Sequence, residues 1–183
     1  MAERNADPRA LDLAAFCRLG GALAGRWPLA GMPRLVASLL EVHDAAAADW
    51  SAQGSELPVT GGRPEVWLHL RGQATVTLEC QRCLQPVDAA LAVDRRFRFV
   101  DDADEAARLD EESEDDVLQM PQRLDLHELL EDELILALPI VPRHAVCPQA
   151  LPLAPEAAPA QDRPNPFAAL AALRGRLPPG ETE

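Results

Sequence analysis

Apolar and polar positions change period several times along this chain, and each change marks an element. Leu11, Ala14, Ala15 and Leu19 recur at helical spacing and Gly20-Gly21 closes the pattern, predicting a short helix over 10–20. Cys17 falls inside it and reads as a small buried hydrophobe. Trp27, Pro28, Gly31 and Pro33 predict a connecting loop. Over 34–42, Leu35, Val36, Leu39 and Leu40 fit a helical turn slightly better than a strand. The Ala-rich stretch 44–53 favours helix on propensity alone, and Thr60-Gly-Gly-Arg-Pro64 predicts a turn.

The period then drops to two. Val66, Leu68 and Leu70 alternate with Trp67, Arg71-Gly72 interrupts as a bulge or tight connection, and Val76 and Leu78 alternate with Thr75, Thr77 and Glu79. Pro86 stops this second run, since proline donates nothing to a sheet ladder. A return strand over 87–100 places Leu91, Val93, Phe97 and Phe99 against Asp94, Arg96 and Arg98, so an antiparallel sheet with one polar face emerges. The run 101–116 is almost devoid of large apolar residues and reads as a solvated, disordered loop. Asp125 then opens the clearest helix, with Asp125 and Glu128 as a capping box, Leu126, Leu129, Leu130, Leu134 and Leu138 in helical period, and Pro139 as its stop. Glu131, Asp132 and Glu133 read as its solvated outer face. Residues 148–164 lack any period and predict a flexible Pro/Ala-rich linker. Asn165-Pro166 starts a last short helix, whose Phe167, Leu170 and Leu173 form a narrow apolar stripe suited to a partner.

The expected organisation is an α+β domain over 1–147, an antiparallel sheet or partly closed barrel with peripheral helices and the acidic loop at 101–116, followed by a flexible tail over 148–183. Charge sharpens this picture. The net charge is −13, and ten acids against Arg108 within 101–116 supply nine of those charges, so acidity is local. Such a chain will not bind nucleic acid by overall charge. All 17 basic residues are Arg, with no Lys, which reflects a GC-biased genome rather than a nucleic-acid signal. Arg96 and Arg98, two apart on a strand, project from one sheet face and could follow a phosphate backbone, or could neutralise the acidic run. No secretory signal or membrane span is read, and a cytoplasmic location follows.

In such a reducing compartment, Cys-x-x-Cys points to metal or catalytic roles rather than structural disulfides. Cys80-x-x-Cys83 and His144-x-x-Cys147 together supply three thiols and one imidazole, a set that fits tetrahedral zinc. The alternative is that Cys80 and Cys83 simply pack a turn and His144 lies on the surface. A thiol redox pair wants its first Cys at a helix N-terminus, whereas Cys80 ends a strand. No oriented third group or oxyanion-hole signature supports a nucleophilic enzyme, and no Gly-rich phosphate loop is present.

Three motifs in order, Glu79-Cys-Gln-Arg-Cys-Leu-Gln-Pro86, Asp125-Leu-x-Glu-Leu with Glu131-Asp-Glu-Leu-Ile-Leu-Ala-Leu-Pro-Ile-Val-Pro142, and Arg163-Pro-Asn-Pro-Phe-Ala-Ala-Leu170, resemble the bacterial YceD family over roughly 68–175. The resemblance implies a strand, not a helix, at 44–53. It also implies a non-enzymatic ribosome-biogenesis factor supporting synthesis, processing or stability of 23S ribosomal RNA. The partner would be that RNA, a large-subunit ribosomal protein or an rRNA-processing factor, with neither DNA nor a membrane involved. It transfers no site residues. From the chemistry alone, Cys80, Cys83, His144 and Cys147 are the candidate metal ligands, zinc the only cofactor expected, and Phe167, Leu170, Leu173, Arg96 and Arg98 the candidate partner contacts. The rival reading is a thiol-dependent oxidoreductase using Cys80 and Cys83.

Overall fold

The computed structural model describes residues 6–149. The expected linker and final helix lie, from residue 150 on, outside the described residues. The elements are α1 (Leu13–Arg18), β1 (Ala22–Pro28), a 3-10 turn (Leu29–Gly31), α2 (Pro33–Val36), β2 (Ala47–Leu57), β3 (Glu65–Glu79), β4 (Pro86–Val100), α3 (Ala103–Glu112), β5 (Asp116–Gln119) and α4 (Leu126–Leu136). The strands form one sheet in the order β1-β2-β3-β4-β5. The first four pair antiparallel, and β5 lies parallel to β4 with Phe97 opposite Asp116. The α+β expectation holds, with two refinements. One edge strand is parallel, and the sheet stays open, because β1 and β5 occupy opposite edges.

Alternation along β3 and β4 puts Leu68, Leu70, Ala74, Val76, Leu78, Leu91, Val93, Phe97 and Phe99 into the core. Against this face lies α4, whose Leu126, Leu130 and Leu134 are fully buried. Truncating any of these three leucines to Ala should cost about 2–5 kcal/mol. Arg71-Gly72 does not interrupt β3. A Cβ on Gly72 would stand 2.5 Å from Leu130 Cδ1, so the glycine lets the helix approach the sheet.

The N-terminal third departs further from the sequence reading. Trp27 and Pro28 belong to edge strand β1, where a terminal proline is tolerated. Trp27 stacks on Trp50 of β2 at 4.1 Å and meets His127 of α4 edge-on at 4.9 Å. The strand expected near 44–53 is β2, despite its alanines; Ala48 and Ala52 face the core. The first helix has only six residues and buries Leu13, Phe16 and Cys17, not the expected stripe. Leu19 is left 74% exposed, and Leu11 is buried through a bridge to Leu124 outside the helix. A helix this short takes its face from tertiary contacts rather than its own periodicity.

The acidic run is not a loop. Asp102 caps α3 by accepting from Glu105 N at 2.9 Å, and Asp104 and Glu105 suit the positive end of the helix dipole. Only Ala106 is buried in this helix, whose role is topological: a parallel β4–β5 pair needs a crossover, and α3 supplies it.

The outer acidic face expected on α4 is correct only for Asp132. Glu131 and Glu133 are buried. Glu131 Oε1 accepts from the N–H groups of Arg34 and Leu35 at 2.7 and 3.1 Å, capping α2, while Oε2 takes the Arg34 guanidinium at 3.1 Å. Burial pushes this carboxyl up, but the two amides and Arg34 outweigh it and hold Glu131 below the usual range. Glu133 turns instead toward Arg95, whose Nε donates to Oε2 at 3.3 Å.

Candidate metal centre

The β3–β4 turn is shaped by its own backbone before any side chain acts. Cys80 N–H donates to Gln85 O at 3.0 Å, and Leu84 N–H to Cys80 O at 2.8 Å. Leu84 takes a φ of 59°, uncommon for a residue with a side chain, which bends the chain tightly enough to bring Cys83 back beside Cys80. Pro86, read from sequence as a stop, is the first residue of β4, a position that needs no ladder donor.

The second half of the cluster arrives from beyond α4. Ala137 is the helix C-cap, and the chain then runs without helix or strand past Pro139 and Pro142. Gln81 N–H donates to Pro142 O at 2.9 Å, which docks this segment on the turn. The sulfur atoms of Cys80, Cys83 and Cys147 and a ring nitrogen of His144 all lie within 4.8 Å of one another. Cys80 Sγ is 3.9 Å from Cys147 Sγ, and Cys83 Sγ is 3.4 Å from His144 Nδ1. A tetrahedral ion with Zn–S of about 2.3 Å and Zn–N of about 2.0 Å requires ligand separations of about 3.8 and 3.5 Å respectively. The donor set and its spacing therefore fit such an ion, and this group could hold a metal.

The electrostatics of the four groups differ. Burial pushes the Cys80 thiol up, but N–H groups of His144, Arg82 and Cys83 and the His144 imidazole pull it down to about 5. Burial raises Cys83 to about 11, helped by Cys147 and Cys80 and opposed by the Gln85 amide. The lowered Cys80 suits a metal-ligating thiolate, and thiols bind a metal in their deprotonated form. Cys80 is fully buried and Cys83 5% exposed, a poor setting for exchange with an external disulfide. Cys17, the remaining cysteine, is remote in sequence and donates to Trp67 O at 3.3 Å; burial lifts it to about 11.

All four sequence-predicted metal ligands are thus brought together across more than sixty residues. Arg82, between the two turn cysteines, joins the site without being among the residues the sequence points to; its Nε donates to Cys147 Sγ at 3.0 Å. The signal was in plain view, as a cation inside a thiol pair. Arg96 and Arg98 do share the outer sheet face, but each is engaged. Arg96 lies 4.6 Å over the Trp67 ring and 4.0 Å from Asp115, and Arg98 pairs with Glu65 at 3.0 Å. Phe167, Leu170 and Leu173 lie outside the described residues.

The family model described as large ribosomal RNA subunit accumulation protein YceD matches residues 68–174, more than half of the chain. The chain belongs to the YceD family. The matched span enters within β3 and includes all four clustered donors and α4. A curated YceD relative, the large ribosomal RNA subunit accumulation protein of Haemophilus influenzae, is 38% identical over 109 residues. That alignment covers 56% of this chain and 62% of the relative, less than two thirds of its length. No solved structure matches. Among the described residues no helix is long and apolar enough to cross a membrane.

Proposed function

We propose that this YceD-family chain supports the accumulation of 23S ribosomal RNA in the cytoplasm, through its synthesis, processing or stability, as a binding factor without chemistry of its own. The observation that carries this reading is the family match over 68–174, which takes in most of β3, β4, β5, the Cys/His cluster and α4. The cluster enters as a zinc-holding structural centre, because four protein donors leave a tetrahedral ion no open position for substrate. The partner is the large-subunit RNA, a large-subunit ribosomal protein or an rRNA-processing factor. The surfaces we assign to it are the Phe167, Leu170, Leu173 stripe first and Arg96 with Arg98 second, since both arginines already hold intramolecular contacts.

In a bacterium carrying this chain as its sole copy, its removal should lower 23S relative to 16S ribosomal RNA, and re-expression should restore the ratio. An unchanged ratio would overturn the reading. Affinity capture with and without ribonuclease separates an RNA partner from a protein one. Truncation after Ala160 should weaken capture more than the Arg96→Glu, Arg98→Glu pair; full capture by the truncated chain would move the surface to the sheet. The rival, a thiol oxidoreductase using Cys80 and Cys83, is favoured by the lowered pKa of Cys80 but opposed by the burial of both cysteines. It requires the purified protein to cycle with a glutathione buffer.

A further inference from the structure

Arg82 makes three contacts with the Cys/His cluster. Nε donates to Cys147 Sγ at 3.0 Å, and Nη2 donates to the carbonyls of His144 and Ala145 at 3.0 and 3.4 Å. One side chain thus holds both a metal-ligating sulfur and the backbone that carries it. That backbone needs holding. The segment 139–149 is neither helix nor strand, and Val146, next to Cys147, is 85% exposed. Apart from Arg82 and the contacts among the four donors themselves, it meets the turn through Gln81 N–H on Pro142 O and through His144 N–H on Cys80 Sγ at 3.5 Å, both upstream of Cys147.

The charge balance points the same way. Zinc with three thiolates and a neutral imidazole carries one net negative charge, and a guanidinium on the outermost sulfur cancels it. A thiol is a weak acceptor, whereas a thiolate makes a strong, charge-assisted bond. Resting on the zinc reading of the cluster, we propose that Arg82 is the positioning residue of the metal centre. It preorganises Cys147 as the fourth ligand and neutralises the loaded site, so that zinc fastens the chain beyond α4 to the β3–β4 turn. A fork of planar donors suits a contact to one sulfur and two carbonyls; a Lys ammonium would offer charge without that geometry.

The test is zinc competition against a chromophoric chelator on the purified, reduced full-length chain, comparing wild type, Arg82→Ala, Arg82→Lys, Cys147→Ser and the Arg82→Ala, Cys147→Ser double variant. Arg82→Ala should still bind one zinc but on the order of 10- to 100-fold more weakly, the usual loss when a ligand's hydrogen-bond partner is removed. Arg82→Lys should recover part of that loss. In the Cys147→Ser background, removing Arg82 should cost clearly less than in wild type, because the sulfur contact is gone and only the two carbonyl contacts remain. Cobalt substitution adds a spectroscopic check: the thiolate-to-metal absorption of Arg82→Ala should weaken toward that of Cys147→Ser. Wild type that binds no zinc would overturn the zinc reading itself. Wild type that binds zinc with Arg82→Ala binding as tightly, or an equal Arg82→Ala loss with and without Cys147, would overturn the role of Arg82 alone.

Discussion

The two ends of the β3–β4 hairpin are held by different physics. At the turn end, where Glu79 faces Pro86, the chain is gathered by three thiols and an imidazole that converge within 4.8 Å. At the far end, where Val66 faces Phe99, it is flanked by exposed ion pairs such as Arg63–Asp101 at 2.9 Å and Arg95–Asp116 at 3.3 Å. Under the zinc reading the four convergent donors would share one ion, so losing one would undermine the rest. Scattered surface pairs act independently and each contributes about 0–1 kcal/mol. The comparison teaches where this fold is vulnerable: sharply at the turn, diffusely at the acidic end.

The largest effect should therefore follow from breaking the turn. Cys83→Ser, or removal of metal by a strong chelator, should cost on the order of 4 kcal/mol relative to protein held at a thousandfold excess of zinc over its Kd. The same treatment should abolish most metal binding. Cys17→Ser, at a buried thiol outside the cluster, should leave stoichiometry unchanged. Elemental analysis and denaturant unfolding check both. Equal metal content in Cys83→Ser and wild type would remove the asymmetry between the two ends.

A smaller effect is expected from the acidic end. Replacing Ala103–Glu112 by a Gly/Ser loop of equal length removes one buried methyl, Ala106, and the bond from Val117 N–H to Asp110 Oδ1 at 2.8 Å. Together these amount to about 2 kcal/mol, one CH₂-sized burial plus one hydrogen bond. Unfolding should stay cooperative and zinc affinity should not move. Loss of the cooperative transition would show that α3 supports the sheet far more than its burial implies.

What the sequence disclosed follows the same division. The long strands, the Asp125 cap and the four donors were legible because each has a short-range signature: period two, a side-chain acceptor before an apolar run, paired ligands in turns. The misreadings arose where one chemical property was taken for an environment. Acidity at 101–116 was read as disorder, yet Asp102 caps a helix and the alanines let it form. Acidity at Glu131 and Glu133 was read as exposure, but their burial depends on Arg34, nearly a hundred residues upstream, and on Arg95 across the sheet. Strand β1 is not legible because Pro28, with Gly31 and Pro33 beyond it, predicts a loop locally. Its reason is tertiary: a Cβ at Gly25 would stand 3.1 Å from the Trp50 ring. Such partners cannot be read from a window of neighbouring residues.

The smallest predicted effect sharpens the contrast within the acidic end. Glu133 is 7% exposed, and burial raises its carboxyl above the ordinary 4.5; Asp116 and Asp132 add to the rise, and Arg95 only partly offsets it. Because its folded value lies above its unfolded one, the stability linked to Glu133 is fully present below pH 4.5 and is lost as pH rises through the folded value. At neutral pH the wild type thus carries a charge that folding disfavours. Glu133→Gln keeps an acceptor for Arg95 and removes that charge. It should be neutral to stabilising at pH 7, by no more than about 1 kcal/mol. The advantage should shrink as pH falls and the wild-type carboxyl takes up its proton. Urea unfolding of both proteins across this range measures it directly. A clear destabilisation of Glu133→Gln at pH 7, with recovery at low pH, would mean that the Arg95–Glu133 pair stabilises the fold after all, and that the acidic end holds one ion pair as consequential as the thiol cluster opposite.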